Sequence, residues 1–228
     1  MTQIKLLLIS LFIVSCTSSK KSEKKNPSAA SAFSIERVDE EAFVLAKKKY
    51  KGKLLEDTLN VKKIDGRFRL PLTLNNAYSN FEDSTKADED ENKKEYKYLG
   101  QFKEIDFYLV SVNYWEHNKV LLVDRATGDK YPIWSIPSLS PNNKRLASIL
   151  SSGLEGNPIG IQVLSVNKSE YLQIDKLIEI DQRIWNPLDV AWENDSSLIL
   201  RITPLIDYSK QTEVNINQDF SYIRLRIE

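Results

Sequence analysis

The sequence predicts an all-β domain of antiparallel sheets with one short helix near its amino end. Three apolar, β-prone runs lie between Phe107 and Leu150, and turn residues separate them, which is typical of an antiparallel meander. Thr127-Gly128-Asp129 and Pro141-Asn142-Asn143 supply two of these turns. The chain has 228 residues with a hydrophobic content of 41% and an aromatic content of 10%, which is sufficient for a core.

Residues 1–15 have the pattern of a secretion signal. Lys5 supplies a positive charge, and the stretch from Leu6 to Val14 is apolar apart from Ser10. A stretch of this length suits the apolar region of a signal peptide and is shorter than the about 20 residues that a transmembrane helix needs. We therefore assign residues 1–15 to a signal peptide that is removed from the mature chain.

The end of this segment, Ile13-Val14-Ser15-Cys16, resembles the bacterial lipobox, in which an aliphatic, a variable and a small residue precede a cysteine. The resemblance implies cleavage before Cys16, thioether lipidation of its sulfur and acylation of its amino group. Cys16 is the only cysteine, so no internal disulfide can form, and lipidation accounts for the isolated thiol. Thr17 replaces the Asp of an inner-membrane retention signal, which implies the outer membrane. An ordinary signal peptide with a chance cysteine is the alternative.

Residues 16–32 are predicted to form a disordered tether, because they are rich in Ser, Lys and Ala and contain no large apolar residue. Removal of residues 1–15 takes away one lysine and no acid, which leaves 31 basic and 32 acidic residues. A chain so close to neutrality has no net field that attracts nucleic acid. The expected partner of the amino end is therefore the membrane, through the lipid anchor.

One helix is predicted within residues 33–52. Asp39 can cap its first turn, and Lys47–Lys49 fall in its last turn, so both ends suit the helix dipole. Residues 42–46 form a continuous apolar run rather than a stripe, which leaves a strand through residues 43–45 as the alternative.

Apolar side chains at every second position from Phe68 to Leu74 predict a strand. Pro71 cannot donate a hydrogen bond, so this strand is expected at a sheet edge or beside a bulge. Residues 75–96 are polar and acidic, and we interpret them as a solvated loop, since no calcium-loop pattern is present. The alternating aliphatic residues of Phe220–Glu228 predict a half-buried final strand.

Two segments resemble the strand-turn-strand repeat of TolB-type β-propellers. Pro137–Ser148 contains Ser-Pro-Asn-Asn-Lys where the family has Ser-Pro-Asp-Gly-Lys. The preceding Leu122–Lys130 resembles the outer strand and the blade-to-blade turn of those repeats. A second copy, Asp189–Leu200, aligns with Pro137–Ser148 at an offset of 52 residues, and Ile161–Lys168 would be its outer strand.

The resemblance implies propeller-like sheets that form an incomplete propeller. Closed propellers have typically 4–8 blades of about 40–50 residues each, and only two repeats are recognisable here. We expect a single all-β domain at 33–228, with one sheet formed by residues 101–150 and a similar sheet formed by residues 157–202.

The 52-residue offset also predicts which side chains are buried. Leu139 and Ala191 precede the two turns and are expected to be buried on matching faces. Ser140 and Trp192 follow them directly and should point to the opposite faces, because successive strand residues alternate.

No catalytic residue, metal site or cofactor site is predicted. His117 is the single histidine and no Gly-x-Ser-x-Gly motif occurs, so a Ser-His-Asp arrangement has no support. Clusters of His and Cys ligands are excluded by count, and neither a Walker loop nor a Gly-x-Gly-x-x-Gly motif is present. What remains is a set of four carboxylates close in sequence to Trp185 and Trp192: Asp181, Asp189, Glu193 and Asp195.

Tyr114, Trp115 and His117 form the predicted interaction surface, because aromatic residues with polar groups are enriched in interfaces. Trp134 and Trp192 are predicted to lie in the core. The resulting hypothesis is a lipid-anchored envelope protein on the periplasmic side of the outer membrane. It would serve as a non-catalytic protein-binding or scaffold module, with another envelope protein as its partner. The alternative is a periplasmic carbohydrate-active hydrolase that uses a carboxylate pair.

Overall fold

The protein is described by a computed structural model, which covers residues 33–84, 93–115, 117–151, 157–168, 172–205 and 220–228. The signal peptide, Cys16, the tether and the acidic residues at 88–91 lie outside this part of the chain. The described residues form fourteen β-strands, one α-helix and one 3₁₀ turn, Thr58–Asn60. The prediction of an all-β domain with one short amino-terminal helix is therefore confirmed.

Twelve of the strands form three antiparallel four-stranded sheets in which most neighbours in sequence are neighbours in space. The first sheet has the order β4 (Glu95–Phe102), β5 (Phe107–Asn113), β6 (Asn118–Asp124) and β7 (Lys130–Ile133). The second sheet has the order β8 (Ser138–Leu139), β9 (Arg145–Leu150), β10 (Gly160–Lys168) and β11 (Leu172–Asp181). The third sheet has the order β12 (Trp185–Asn194), β13 (Ser197–Pro204), β14 (Ser221–Ile227) and β1 (Phe33–Val38).

The remaining two strands, β2 (Arg67–Pro71) and β3 (Tyr78–Glu82), form a separate hairpin. Strand β2 pairs only with β3, so Pro71 lies on an edge strand as predicted. Residues 75–96 are not a loop throughout, because β3 and the start of β4 fall within them. Strand β3 was not predicted because the segment is mostly polar and acidic, although Ser79 and Phe81 are buried and alternate with exposed neighbours.

Helix α1 (Glu40–Lys49) has the ends that the sequence predicts. The side chain of Asp39 accepts a hydrogen bond from the backbone N–H of Ala42 at 2.9 Å, so the alternative of a strand is excluded. Phe43 and Ala46 are buried against the third sheet, and the Phe43 ring lies 5.4 Å from that of Tyr222. Burial of this narrow apolar face holds the helix on the outer face of the sheet.

Buried apolar clusters order the elements into layers. The hairpin packs on one face of the first sheet, and the opposite face of that sheet shares a core with the second sheet. The second sheet shares its other face with the third sheet, which α1 then covers. The layer order is thus hairpin, first sheet, second sheet, third sheet and helix.

The grouping of strands into sheets differs from the expected one. Residues 101–150 are divided between the first and second sheets, and residues 157–202 between the second and third. The boundary falls at residues 134–137, before the Ser-Pro turn, so this turn opens a new sheet. The turn at Thr127, expected to connect two blades, connects β6 with β7 inside the first sheet. Strand β10, expected to be an outer strand, pairs with β9 on one side and with β11 on the other. The likeness to propeller blades stays a prediction.

The expected burial of the two repeats is confirmed in part. Leu139 and Ala191 are both buried, with 7% and 4% of their surface exposed. Ser140 and Trp192 are also buried, so the opposite faces of both strands are packed rather than wet. The faces do not match: Leu139 packs between the first two sheets, whereas Ala191 lies under α1. At the 52-residue offset Leu198 aligns with Leu146. Leu146 pairs with Leu139, whereas Leu198 pairs with Trp192 and not with Ala191, so the second turn is one residue shorter between paired positions.

A network of ion pairs ties β1 to the rest of the third sheet. The guanidinium of Arg224 contacts Glu193 at 2.6 Å and Glu36 at 2.5 Å, and Arg226 contacts Glu36 at 2.7 Å. Hydrogen bonds from Arg226 and Arg224 lower the pKa of Glu36. Burial alone would raise the pKa of Glu193, but hydrogen bonds from Arg224 and Ser197 outweigh it, so this pKa is lowered as well.

We expect Arg224→Met to lower the free energy of unfolding by about 1–2 kcal/mol at neutral pH, since only 17% of its side chain is exposed. Because the two glutamates have lowered pKa values in the folded state, their contribution is present above pH about 4.5 and is lost as the pH falls further. Thermal melts between neutral and acid pH should therefore show a weaker pH dependence for this variant than for the wild type. The exposed pair Arg67–Glu82 supplies the control, and an Arg67→Met variant with the same behaviour would contradict the prediction.

Candidate binding site

The three residues of the predicted interaction surface lie in the loop between β5 and β6. The rings of Tyr114 and His117 stack with a centroid distance of 4.4 Å and an interplanar angle of 15°. The backbone N–H of Tyr114 donates to the carbonyl of His117 at 2.9 Å, which holds the loop in a tight shape. Trp115 projects from it with 60% of its surface exposed. The loop therefore presents a large aromatic side chain next to the stacked rings of Tyr114 and His117.

A cleft of about 460 Å³ begins at His117 and continues between the first and second sheets. Its apolar lining includes Trp134 and the exposed side chain of Ile136, which lie in the link between β7 and β8. The other lining side chains are mostly neutral hydrogen-bonding groups: Ser111, Asn113, Asn118, Ser135, Ser151 and Asn157. Lys119 is the one Lys, Arg, Asp or Glu among the described lining residues.

The cleft arises where the shared core of the two sheets ends. Along β5, Phe107 and Leu109 are fully buried on the face toward the second sheet. The next two positions on this face are Ser111 and Asn113, which are half-buried and line the cleft. This change from apolar to polar along one face is a local sequence signal for the cleft, which the predicted interaction surface did not include.

The four carboxylates of the hydrolase alternative line neither this cleft nor a second one at the hairpin. Asp181 accepts from the backbone N–H of Ile159 at 3.0 Å and pairs with Arg183 at 2.6 Å, and both contacts lower its pKa. The other three carboxylates each have a partner of their own: Lys47 for Asp189, Arg224 for Glu193 and the backbone N–H of Asn142 for Asp195.

The tryptophans divide between core and surface. Trp192 is buried as predicted, and its indole N–H donates to the carbonyl of Ser138 at 3.0 Å. Trp134 is only half-buried and lines the cleft, so the prediction that it belongs to the core was wrong. It follows Ile133, the last residue of β7, and the chain leaves the first sheet at this point.

The second cleft, of about 660 Å³, lies at the hairpin. Phe68 and Phe81 stack at its base with a centroid distance of 4.9 Å. Its rim carries Lys62 and Arg69, and among the described residues neither has an acidic partner. The predicted aromatic surface does not extend to this cleft.

Comparison with family models, with curated proteins and with solved structures gives no match for this chain. Within the described ranges, no helix is long and apolar enough to cross a membrane. The same part of the chain contains no group of three or more His, Cys, Asp or Glu side chains arranged to hold a metal ion.

Proposed function

We propose that this chain is a lipid-anchored envelope protein whose β domain is a non-catalytic protein-binding module. The observation that carries the binding role is the exposed Trp115 beside a cleft whose described lining is neutral apart from Lys119, both at the β5–β6 end of the first sheet. Anchoring through Cys16 on the periplasmic side of the outer membrane is supported by the lipobox and the apolar segment before it.

Trp115 has the properties of an interface anchor. Tryptophan is enriched among the few residues that dominate binding energy, because it buries a large area with little loss of side-chain freedom. The stack of Tyr114 on His117 already orders the loop, so a partner would not have to immobilise it. An aromatic side chain on a rigid loop therefore gains more from burial than one on a mobile loop.

The cleft suits an extended segment of a partner protein. The amide groups of Asn113 and Asn118 can both donate to and accept from a peptide backbone. Trp134 and Ile136 offer an apolar surface for a side chain of that segment. Such a combination of apolar contacts with a few neutral polar groups is the usual composition of a binding cleft.

The partners of the four carboxylates also favour binding over hydrolysis. A glycosidase needs one carboxyl group with a raised pKa to act as the acid, close to a second carboxylate in the same cleft. The pKa values of Asp181 and Glu193 are both lowered, and Asp189 and Asp195 are occupied by Lys47 and Asn142.

We expect Trp115→Ala to lower recovery of a partner strongly. The tagged full chain would be crosslinked in cells, solubilised in detergent and purified for mass spectrometry. An envelope protein recovered with the wild type should fall about 30-fold with the variant, as for an interface residue worth about 2 kcal/mol. Ile184→Ala is the control, because Ile184 is 77% exposed and lies at the start of the third sheet. Equal recovery with both variants would contradict the proposal.

A further inference from the structure

The positive charge of this nearly neutral chain is concentrated at its amino end. Residues 16–53 carry ten Lys and Arg but five Asp and Glu, whereas residues 54–228 carry 21 basic and 27 acidic residues. Asymmetry of this kind indicates an interaction of the basic end with a polyanion or an anionic membrane. The basic segment includes the predicted tether, β1 and α1.

Helix α1 presents an apolar and basic face to solvent. Phe43 and Ala46 are buried against the third sheet, while Leu45 is 57% exposed. Lys48 and Lys49 follow Leu45 by three and four residues, so all three side chains lie on the same side of the helix. An exposed aliphatic side chain next to lysines on a surface helix combines the two kinds of group that helices at a membrane interface use.

The acidic residues near this face do not neutralise it. Glu40 hydrogen-bonds Tyr222. Glu41 precedes Leu45 by four residues and lies on the same side of α1, but in the first turn, so the two lysines leave this side with a net positive charge. Asp189 is engaged by Lys47, which leaves Lys48 and Lys49 without an acidic partner in the described part of the chain. Lys51, two residues beyond the end of the helix, is exposed as well and adds to the same basic region.

We infer that the exposed face of α1, formed by Leu45, Lys48, Lys49 and Lys51, rests on the anionic phospholipid surface of the membrane. This contact rests on the proposed lipid anchoring, which would hold α1 near the bilayer. The tether of 16 residues between Cys16 and Phe33 has an expected mean span of roughly 20–24 Å. At that distance the high local concentration of lipid strengthens the contact further.

The contact would also orient the domain. Helix α1 and the hairpin occupy opposite ends of the layer order. If α1 faces the bilayer, the hairpin faces away from it. A lipid anchor with a disordered tether would not select an orientation by itself, so the orientation distinguishes α1 docking from simple tethering.

Vesicle binding tests whether the lysines of α1 attract the domain to anionic phospholipid. The mature chain with Cys16→Ser, which has no acyl anchor, would be sedimented with phosphatidylcholine vesicles with or without phosphatidylglycerol. We expect binding only to the vesicles that contain phosphatidylglycerol. The variant K48Q/K49Q should bind about 25-fold more weakly, or about fivefold per lysine, since each contributes about 1 kcal/mol at an anionic surface.

The matched control is K62Q/R69Q, which removes two positive charges from the hairpin cleft. Equal loss of binding in the two double variants would mean that the vesicles attract only the overall charge, and it would overturn the proposal. Absence of binding to either vesicle type would overturn it as well.

A fluorescent label tests the orientation. Since Cys16 is the only cysteine, a Cys16→Ser background allows one label at Leu45→Cys or at Ile64→Cys, and both positions are more than half exposed. An environment-sensitive dye should shift to shorter wavelength on phosphatidylglycerol vesicles at position 45 and remain unchanged at position 64. No shift at position 45 would contradict α1 docking. Because neither experiment uses an acylated chain, this result is separate from whether Cys16 is lipidated in cells.

Discussion

Replacing Leu139 with Asp is expected to unfold the domain. Leu139 is 7% exposed, packs in the core between the first and second sheets, and pairs with the fully buried Leu146. An unpaired carboxylate at this position would cost several kcal/mol, which is comparable with the about 5–15 kcal/mol that stabilises an ordinary domain. Circular dichroism melts of the mature chain would measure the loss.

Ser140→Asp should be damaging as well. Ser140 is completely buried, and its hydroxyl accepts from the backbone N–H of Arg145 and donates to the side-chain oxygen of Asn142, each at 2.9 Å. A carboxylate could not donate to Asn142 and would be desolvated. Ile136→Asp is the control, because Ile136 is 51% exposed. If the Ser140→Asp variant had the same melting temperature as the Ile136→Asp variant, the burial of Ser140 in the second sheet would be contradicted.

The elements that could be predicted from the sequence depend on short-range signals. The cap at Asp39, the lysines at the end of α1 and the turn at Gly128 each act within a few residues. Gly128 has a φ of 82°, a conformation that glycine adopts without strain. Alternation likewise identified β14, in which Ile223, Leu225 and Ile227 are all buried.

The arrangement of the sheets depends on contacts that no short segment encodes. Strand β1 pairs with β14 from the other end of the chain, with Phe33 opposite Ile227. Leu139 pairs with Leu146 across the first turn, whereas Trp192 pairs with Leu198 across the second, which leaves one residue fewer between the paired positions. A sequence offset between two turns cannot detect this difference, because the turn residues still align.

The aromatic loop of the candidate site could be predicted from the sequence, but the cleft beside it could not. Tyr114, Trp115 and His117 were selected because aromatic residues with polar groups are enriched in interfaces, and the structure places them in the loop between β5 and β6. The cleft beside them depends on where two sheets separate, so residues distant in sequence, such as Ser111 and Asn157, meet there. Only the polar end of β5 carried a local signal of this separation.

Changing Cys16 to Ala is expected to release the protein from the membrane. The lipobox resemblance places several acyl chains on this one residue, and each buried CH₂ group contributes about 0.8 kcal/mol to membrane binding. Without the thiol, neither lipidation nor cleavage before residue 16 would occur. Ser15→Ala supplies a control, because alanine keeps the small residue that the lipobox requires before the cysteine.

Palmitate labelling in cells, followed by detergent phase partition of the wild type and the two variants, tests the lipid anchor on which the proposed function and the α1 contact both depend. We expect the wild type and Ser15→Ala to be labelled and to enter the detergent phase, whereas Cys16→Ala remains an unlabelled precursor. A wild-type protein recovered from the periplasm without acyl groups would contradict the lipid anchor.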